Sequence, residues 1–72
     1  MTVEQFKRAL RARPFEPFDF YLADGRSFHV AHPENAVLSG AGRTFELFSS
    51  DESREIFDML MVVSLKPSPA PR

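Results

Sequence analysis

The sequence predicts an α+β fold that is mainly β, in which one N-terminal helix precedes a five-stranded, strongly bent antiparallel barrel of the SH3-like kind. Apolar residues near the N-terminus recur at three- and four-residue spacing, as in an amphipathic helix. Short alternating runs follow, with turn residues between them, as in a small all-β module. The 72 residues, which include eight Phe, make one domain whose small core requires dense packing or self-association.

The helix is predicted to begin at Thr2 and to end near Ala12. Thr2 and Gln5 fit a capping box, in which each side chain bonds to the backbone of the other. Pro14 disfavours helical geometry at Arg13 and therefore ends the helix. One apolar stripe is formed by Val3, Phe6, Ala9 and Leu10.

Residues 18–30, FDFYLADGRSFHV, predict two strands around a turn. A two-residue loop at Asp24 and Gly25 would place the apolar sets of the two strands on opposite faces. A three-residue loop that ends in a left-handed Gly25 and forms a bulge instead sets Phe20 opposite Phe28. We therefore predict the bulged loop, because it keeps both apolar sets on one face.

The rest of the chain alternates strands and breaks. Pro33 and Asn35 interrupt the pattern, and a strand resumes at residues 36–39. Residues 36–39 thus resume the second strand, and the third, fourth and fifth strands are predicted at residues 44–48, 54–58 and 62–65, with a short corner at residues 59–61. We predict one domain over residues 1–66 and an extended, flexible Pro-rich tail over residues 67–72.

Charge is balanced overall but uneven along the chain. Nine Lys and Arg against ten Asp and Glu give a net charge of -1, so no global field attracts phosphate. Four of the cations, Lys7, Arg8, Arg11 and Arg13, lie within seven residues and form a local basic face. There is no Cys, the N-terminus has no apolar export segment, and the longest apolar run is too short to span a bilayer. We expect a cytoplasmic protein without a membrane segment.

Two segments carry a family resemblance. Residues 20–28, FYLADGRSF, and residues 56–63, IFDMLMVV, resemble the first and second motifs of the Sm-like superfamily, specifically its bacterial Hfq-type members. The order of one helix, a strand, an Asx-Gly turn and further strands is also similar. Residues 13–34 resemble the opening of small bacterial proteins of the RPFxPFxFxLADGRxFxVxHPE type, which implies no function.

The resemblance implies a homo-oligomeric ring, in which the fourth strand of one subunit adds to the fifth strand of the next through backbone hydrogen bonds. It therefore makes Ile56, Phe57, Val62, Val63 and Leu65 the candidate interface residues. It also implies RNA binding on the ring faces. Tyr21 occupies the position of a base-stacking aromatic, whereas Phe57 and Asp58 stand where the group has a Lys-His pair for uridine-rich RNA.

Two functions remain open. The first is a non-enzymatic, homo-oligomeric Sm-like barrel with RNA as its candidate ligand, bound through Lys7, Arg8, Arg11, Arg13 and Tyr21. The second is a protein-interaction or structural module of the same fold with no nucleic-acid role. In that case the cations are the solvated face of the helix, which the slightly negative net charge favours.

Other chemistry is weakly represented. His29, His32 and Glu34 are metal-ligand types, but His29 and His32 lie an odd number of positions apart and point to opposite faces of a continuous strand. Residues 39–44, SGAGRT, lack the leading glycine and the Lys of a phosphate-binding loop and fit a hairpin turn. No nucleophile elbow or Ser-His-acid constellation is evident. We expect no catalytic residues, no metal and no cofactor.

Overall fold

A computed structural model of the chain describes residues 3–49 and 53–68. It contains one helix, six strands and two short 3-10 turns within those residues. In chain order they are α1 (Val3–Arg11), β1 (Phe18–Leu22), β2 (Ser27–Val30), a first 3-10 turn (Pro33–Asn35), β3 (Ala36–Leu38), β4 (Thr44–Phe48), β5 (Arg54–Asp58), a second 3-10 turn (Met59–Met61) and β6 (Val62–Pro67).

The predicted helix is confirmed as α1, which ends at Arg11, one residue before the predicted end. Thr2, the predicted cap, lies outside the described residues. Phe6 and Leu10 are buried, while Val3 and Ala9 are partly buried against the same core. The apolar stripe therefore attaches the helix to the sheets.

The register predicted for the hairpin is confirmed. Phe20 lies opposite Phe28 in the β1–β2 ladder. The backbone N–H of Leu22 donates to the carbonyl of Arg26 at 2.8 Å, which closes a three-residue loop. Gly25 has a φ of 94°, the left-handed region that the bulged loop requires. The apolar residues of the two strands thus share one face.

The prediction of a five-stranded barrel is wrong. The six strands form two three-stranded antiparallel sheets, with strand orders β2-β1-β6 and β3-β4-β5, and neither sheet closes into a barrel. The 3-10 turn at Pro33–Asn35 separates β2, which pairs only with β1, from β3, which pairs only with β4. Pro cannot donate to a ladder, which explains the interruption after β2, and the chain enters the second sheet at β3.

Aromatic side chains join the two sheets and the helix. The ring of Phe20, in β1, lies 5.2 Å from that of Phe45 in β4 and 5.4 Å from that of Phe57 in β5. Phe6 of the helix contacts Phe20 and also packs on Phe45 at 4.5 Å. The core therefore lies between the inner faces of the sheets, with α1 packed against both.

The described chain continues past residue 66, the end of the predicted domain. Pro67 is the last residue of β6, and the backbone N–H of Ser68 donates to the carbonyl of Pro17 at 3.0 Å. This bond extends the β1–β6 ladder by one pair. The remainder of the predicted tail, residues 69–72, lies outside the described residues.

Candidate functional site

The four basic residues proposed for RNA binding lie on and just after α1. Arg8, Arg11 and Arg13 are exposed, and Lys7 is partly buried. Arg13 donates from a guanidinium N–H to the carbonyl of Ala12 at 2.9 Å. No carboxylate in the described part of the chain forms an ion pair with any of them. Three of the four cations are therefore exposed and outside any ion pair within the described residues.

Tyr21, the fifth candidate RNA-binding residue, lies on the outer face of the β2-β1-β6 sheet. Its neighbours across the ladders are Ser27 on β2 and Ser64 on β6. The ammonium group of Lys66 lies over the ring of Tyr21, 5.4 Å from its centre. This arrangement combines an aromatic face with a positive charge, as single-stranded nucleic-acid sites do.

A shallow groove of about 150 Å³ runs between α1 and β6. Ala9 and Ala12 line it on the helix side, and Leu65 and Pro67 line it on the strand side. Lys66 also reaches this groove. The groove therefore lies between the basic helix and the face that carries Tyr21.

The five candidate interface residues divide into two groups. Phe57 and Val62 are buried in the core of the protein itself, at 5% and 0% exposure, and Leu65 packs against the same core. Ile56 and Val63 are exposed, at 69% and 55%. Of the five, only these two have side chains that are mostly exposed.

Exposed apolar side chains are concentrated in the stretch of sequence that contains these two residues. Among the described residues, the large hydrophobic side chains that are exposed are Val37, Ile56, Leu60, Met61 and Val63. All but Val37 fall within residues 56–63, which run from β5 through the second 3-10 turn into β6. We call Ile56, Leu60, Met61 and Val63 the apolar segment. Leu60 is the most exposed of them, at 83%.

The surroundings of Ile56 are charged on both sides. Ile56 lies opposite Glu46 in the β4–β5 ladder, and Glu46 lies opposite Val37 in the β3–β4 ladder. Arg54 Nε lies 3.3 Å from Glu46 Oε2. Asp58 Oδ1 accepts a hydrogen bond from the backbone N–H of Leu60 at 2.9 Å and thereby caps the 3-10 turn. Ile56 is thus an apolar side chain between a cation and an anion of its own strand.

A polar cluster that no sequence pattern predicts lies on the outer face of the β2-β1-β6 sheet. His29 Nδ1 lies 2.7 Å from Asp19 Oδ1 and 3.0 Å from Ser68 Oγ. The Ser68 hydroxyl donates to Asp19 Oδ1 at 2.9 Å. The hydrogen bond from His29 holds the pKa of Asp19 below its ordinary value of 3.8, against the opposing effect of burial and with a smaller contribution from Ser68.

These three residues have the composition of a hydrolase triad but not its geometry. In a triad the acid binds one imidazole nitrogen and the serine hydroxyl binds the other. Here Asp19 and Ser68 both contact Nδ1 of His29, and the hydroxyl donates to the carboxylate itself. The cluster consequently links β1, β2 and the end of β6, and the serine hydroxyl donates to the carboxylate instead of to a second imidazole nitrogen.

The other residues considered as metal ligands or phosphate-binding groups do not form a site. No group of three or more metal-ligand side chains converges within residues 3–49 and 53–68. His29 bonds to Asp19, and His32 precedes the first 3-10 turn. The hairpin turn predicted at residues 39–44 is confirmed, since the Ser39 N–H donates to the Thr44 carbonyl and the Gly42 N–H donates to the Ser39 carbonyl. Those two amides are therefore not free to bind phosphate.

No family model matches this chain, and no match was found among curated proteins or solved structures. The resemblance to the Sm-like superfamily therefore stays a prediction. Within the described ranges, no helix has the length and apolar character needed to cross a membrane.

Proposed function

We propose that the protein is a non-enzymatic interaction module that self-associates through the apolar segment. The observation that carries this proposal is the exposure of Ile56. This side chain is 69% exposed on an edge strand, and three more exposed apolar side chains are close to it in sequence. Apolar side chains that cluster on a surface, with charged residues at the rim, are typical of protein interfaces.

The size of the chain supports the same proposal. A domain of 72 residues buries a smaller share of its surface than a larger domain, so additional burial between copies contributes more to its stability. The chain has no Cys that could supply a disulfide instead. Self-association through the apolar segment would remove these side chains from water.

Light scattering and sedimentation at rising protein concentration test this proposal. The expected mass of the native chain exceeds the 8.2 kDa of one copy. A variant with Ile56→Ser, Leu60→Ser and Val63→Ser is expected to stay at 8.2 kDa, with an unchanged circular dichroism spectrum because all three side chains are exposed.

The matched control is Val37→Ser. Val37 is also an exposed aliphatic residue of the β3-β4-β5 sheet, but it lies on the opposite edge strand. It should therefore retain the native mass. A native chain that stays at 8.2 kDa up to millimolar concentration would contradict the proposal, as would a triple variant that keeps the native mass.

A second candidate function is single-stranded RNA binding, which the contact between Lys66 and Tyr21 favours. In this case the strand would follow the groove between β6 and α1, with Arg8 and Arg11 contacting phosphates and Tyr21 stacking a base. Affinity would then fall steeply as salt rises, since bound cations release counterions from the nucleic acid.

A panel of fluorescent RNAs separates the two candidates. The affinity for these RNAs is measured for the native chain and for a variant with Arg8→Glu and Arg11→Glu. RNA binding predicts loss of affinity in this variant and a native response to salt in Val37→Ser. If the double variant binds RNA as tightly as the native chain, RNA binding through these residues is ruled out and the interaction module remains.

A further inference from the structure

The most suitable strand edge for self-association is that of β5. The four edge strands of the two sheets are β2, β6, β3 and β5. β3 has three residues and β2 has four, so each offers little backbone to pair with. β6 ends in Pro67, and Ser68 bonds to Pro17 across the ladder, so the nitrogen of Pro67 faces away from β1 and provides no donor. β5 has five residues and no Pro.

The hydrogen-bond pattern shows which groups of β5 are free to pair. At the two ends of the β4–β5 ladder, Met59 N–H donates to the Arg43 carbonyl and Ser49 N–H donates to the Ser53 carbonyl. Residues of an antiparallel strand alternate between facing and turning away from their partner. The residues of β5 that direct their backbone N–H and C=O groups away from β4 are therefore Arg54, Ile56 and Asp58.

These three residues are self-complementary when the strand is turned around. If two β5 strands run antiparallel with Ile56 opposite Ile56, then Arg54 of each copy lies opposite Asp58 of the other. The register places outward-facing backbone groups opposite one another, as a hydrogen-bonded ladder requires. It also sets two pairs of opposite charge on either side of a central apolar contact, the arrangement favoured across antiparallel strands.

We propose that the partner is a second copy of this chain, bound by β5–β5 addition with Ile56 on a two-fold axis. The resulting interface is isologous and joins two three-stranded sheets into one six-stranded sheet. Glu55 and Phe57 do not oppose this pairing, because they contact Arg26 and Phe28 on the other face of the strand. This inference rests on the proposed self-association and specifies its geometry.

Cysteine cross-linking tests the two-fold axis directly, because the native chain contains no Cys. In a hydrogen-bonded antiparallel pair the two Cα atoms lie about 5.5 Å apart, within the range that a disulfide spans. Ile56→Cys is therefore expected to form a covalent dimer on mild oxidation. Val37→Cys is the matched control. In the six-stranded sheet four strands lie between the two copies of β3, so the two residues are five strand spacings, or about 24 Å, apart. This variant should therefore not form a covalent dimer.

Charge complementation tests the register. Arg54→Asp alone places acid opposite acid, and Asp58→Arg alone places base opposite base, so each variant should dissociate at about tenfold higher concentration than the native chain. An equal mixture of the two restores both opposite-charge pairs and should form heterodimers with near-native affinity. Damage within one copy, such as loss of the Arg54–Glu46 ion pair or of the cap on Leu60, is not repaired by mixing.

The outcomes separate this inference from the proposed function. Cross-linking at residue 56 but not at residue 37, together with recovery in the mixture, supports β5–β5 pairing. A native chain that self-associates while Ile56→Cys fails to cross-link, or while the mixture associates no better than either variant, overturns this geometry and leaves the proposed function standing. A native chain that is monomeric overturns both.

Discussion

Of the three glycines, Gly42 leaves the least room for a side chain. It is buried in the turn between β3 and β4, with a φ of 74° that side chains with a Cβ rarely adopt. A Cβ at this position would lie 2.8 Å from Cγ2 of Val3 in α1, closer than real Cβ atoms approach another heavy atom. The absence of a side chain at Gly42 therefore permits both the turn and the close approach of the helix.

Gly42→Ala is expected to lower the free energy of unfolding by at least about 1–2 kcal/mol, the cost of left-handed backbone in a residue with a Cβ. Urea denaturation followed by circular dichroism measures this change. Gly40→Ala is the matched control in the same turn, because its added Cβ meets no atom within 4 Å and its φ is not in the left-handed region. Equal stability of the two variants would show that the helix does not depend on this contact.

The cluster of Asp19, His29 and Ser68 shows why some residue contacts escape sequence analysis. The pairing of Asp19 with His29 follows from the hairpin register, which the apolar pattern did predict. Ser68 lies beyond the strand predicted at residues 62–65, in a segment expected to be a tail. Its place beside Asp19 depends on β6 pairing with β1 over a separation of 49 residues, and no local pattern specifies such a contact.

At the scale of elements, the helix and the hairpin were predicted from patterns of residues that are close in sequence. The period of the apolar residues fixed the buried face of α1, and Gly25 together with the alternation in β1 fixed the loop. The basic face of the helix follows from the same period. These features depend on residues that are close in sequence, so the sequence alone determines them.

The arrangement of the strands in two sheets was not predictable in the same way. Pro33 marks a break, but a break alone does not determine whether the next strand continues the same sheet or starts a second one. In the structure β3 pairs with β4, so the chain changes sheet at this turn. The predicted barrel assumed that the sheet closes around one core, and that closure depends on long-range pairing between strands.

The candidate interface shows a second limit of the sequence pattern. Residues 56–63 are almost continuously apolar, so alternation does not indicate which side chains face the core. The structure distinguishes them: Phe57 contacts Phe28 and Phe45, while its neighbour Ile56 is exposed. In the second 3-10 turn Met59 is buried and Leu60 is exposed. The exposed members of this run could be identified only after the turn and the strand pairing were known.

At the scale of the whole molecule, folding and association should be linked. If folded chains associate and unfolded chains do not, mass action stabilises the folded state more as the protein concentration rises. For a dimer this amounts to about 0.7 kcal/mol per chain for each tenfold increase above the dissociation constant. For a chain of this size it corresponds to a rise of about 3–5 °C in Tm.

We therefore expect the Tm of the native chain, measured by circular dichroism in cells of different path length, to rise with concentration. The variant with serine at positions 56, 60 and 63 should have a Tm that does not depend on concentration, because its folded state remains a single copy. Val37→Ser should retain the native slope, since Val37 lies on β3 at the other edge of the sheet. A native Tm that is constant from micromolar to millimolar concentration would mean that the exposed apolar segment does not hold copies together, and that the aromatic core alone stabilises the fold.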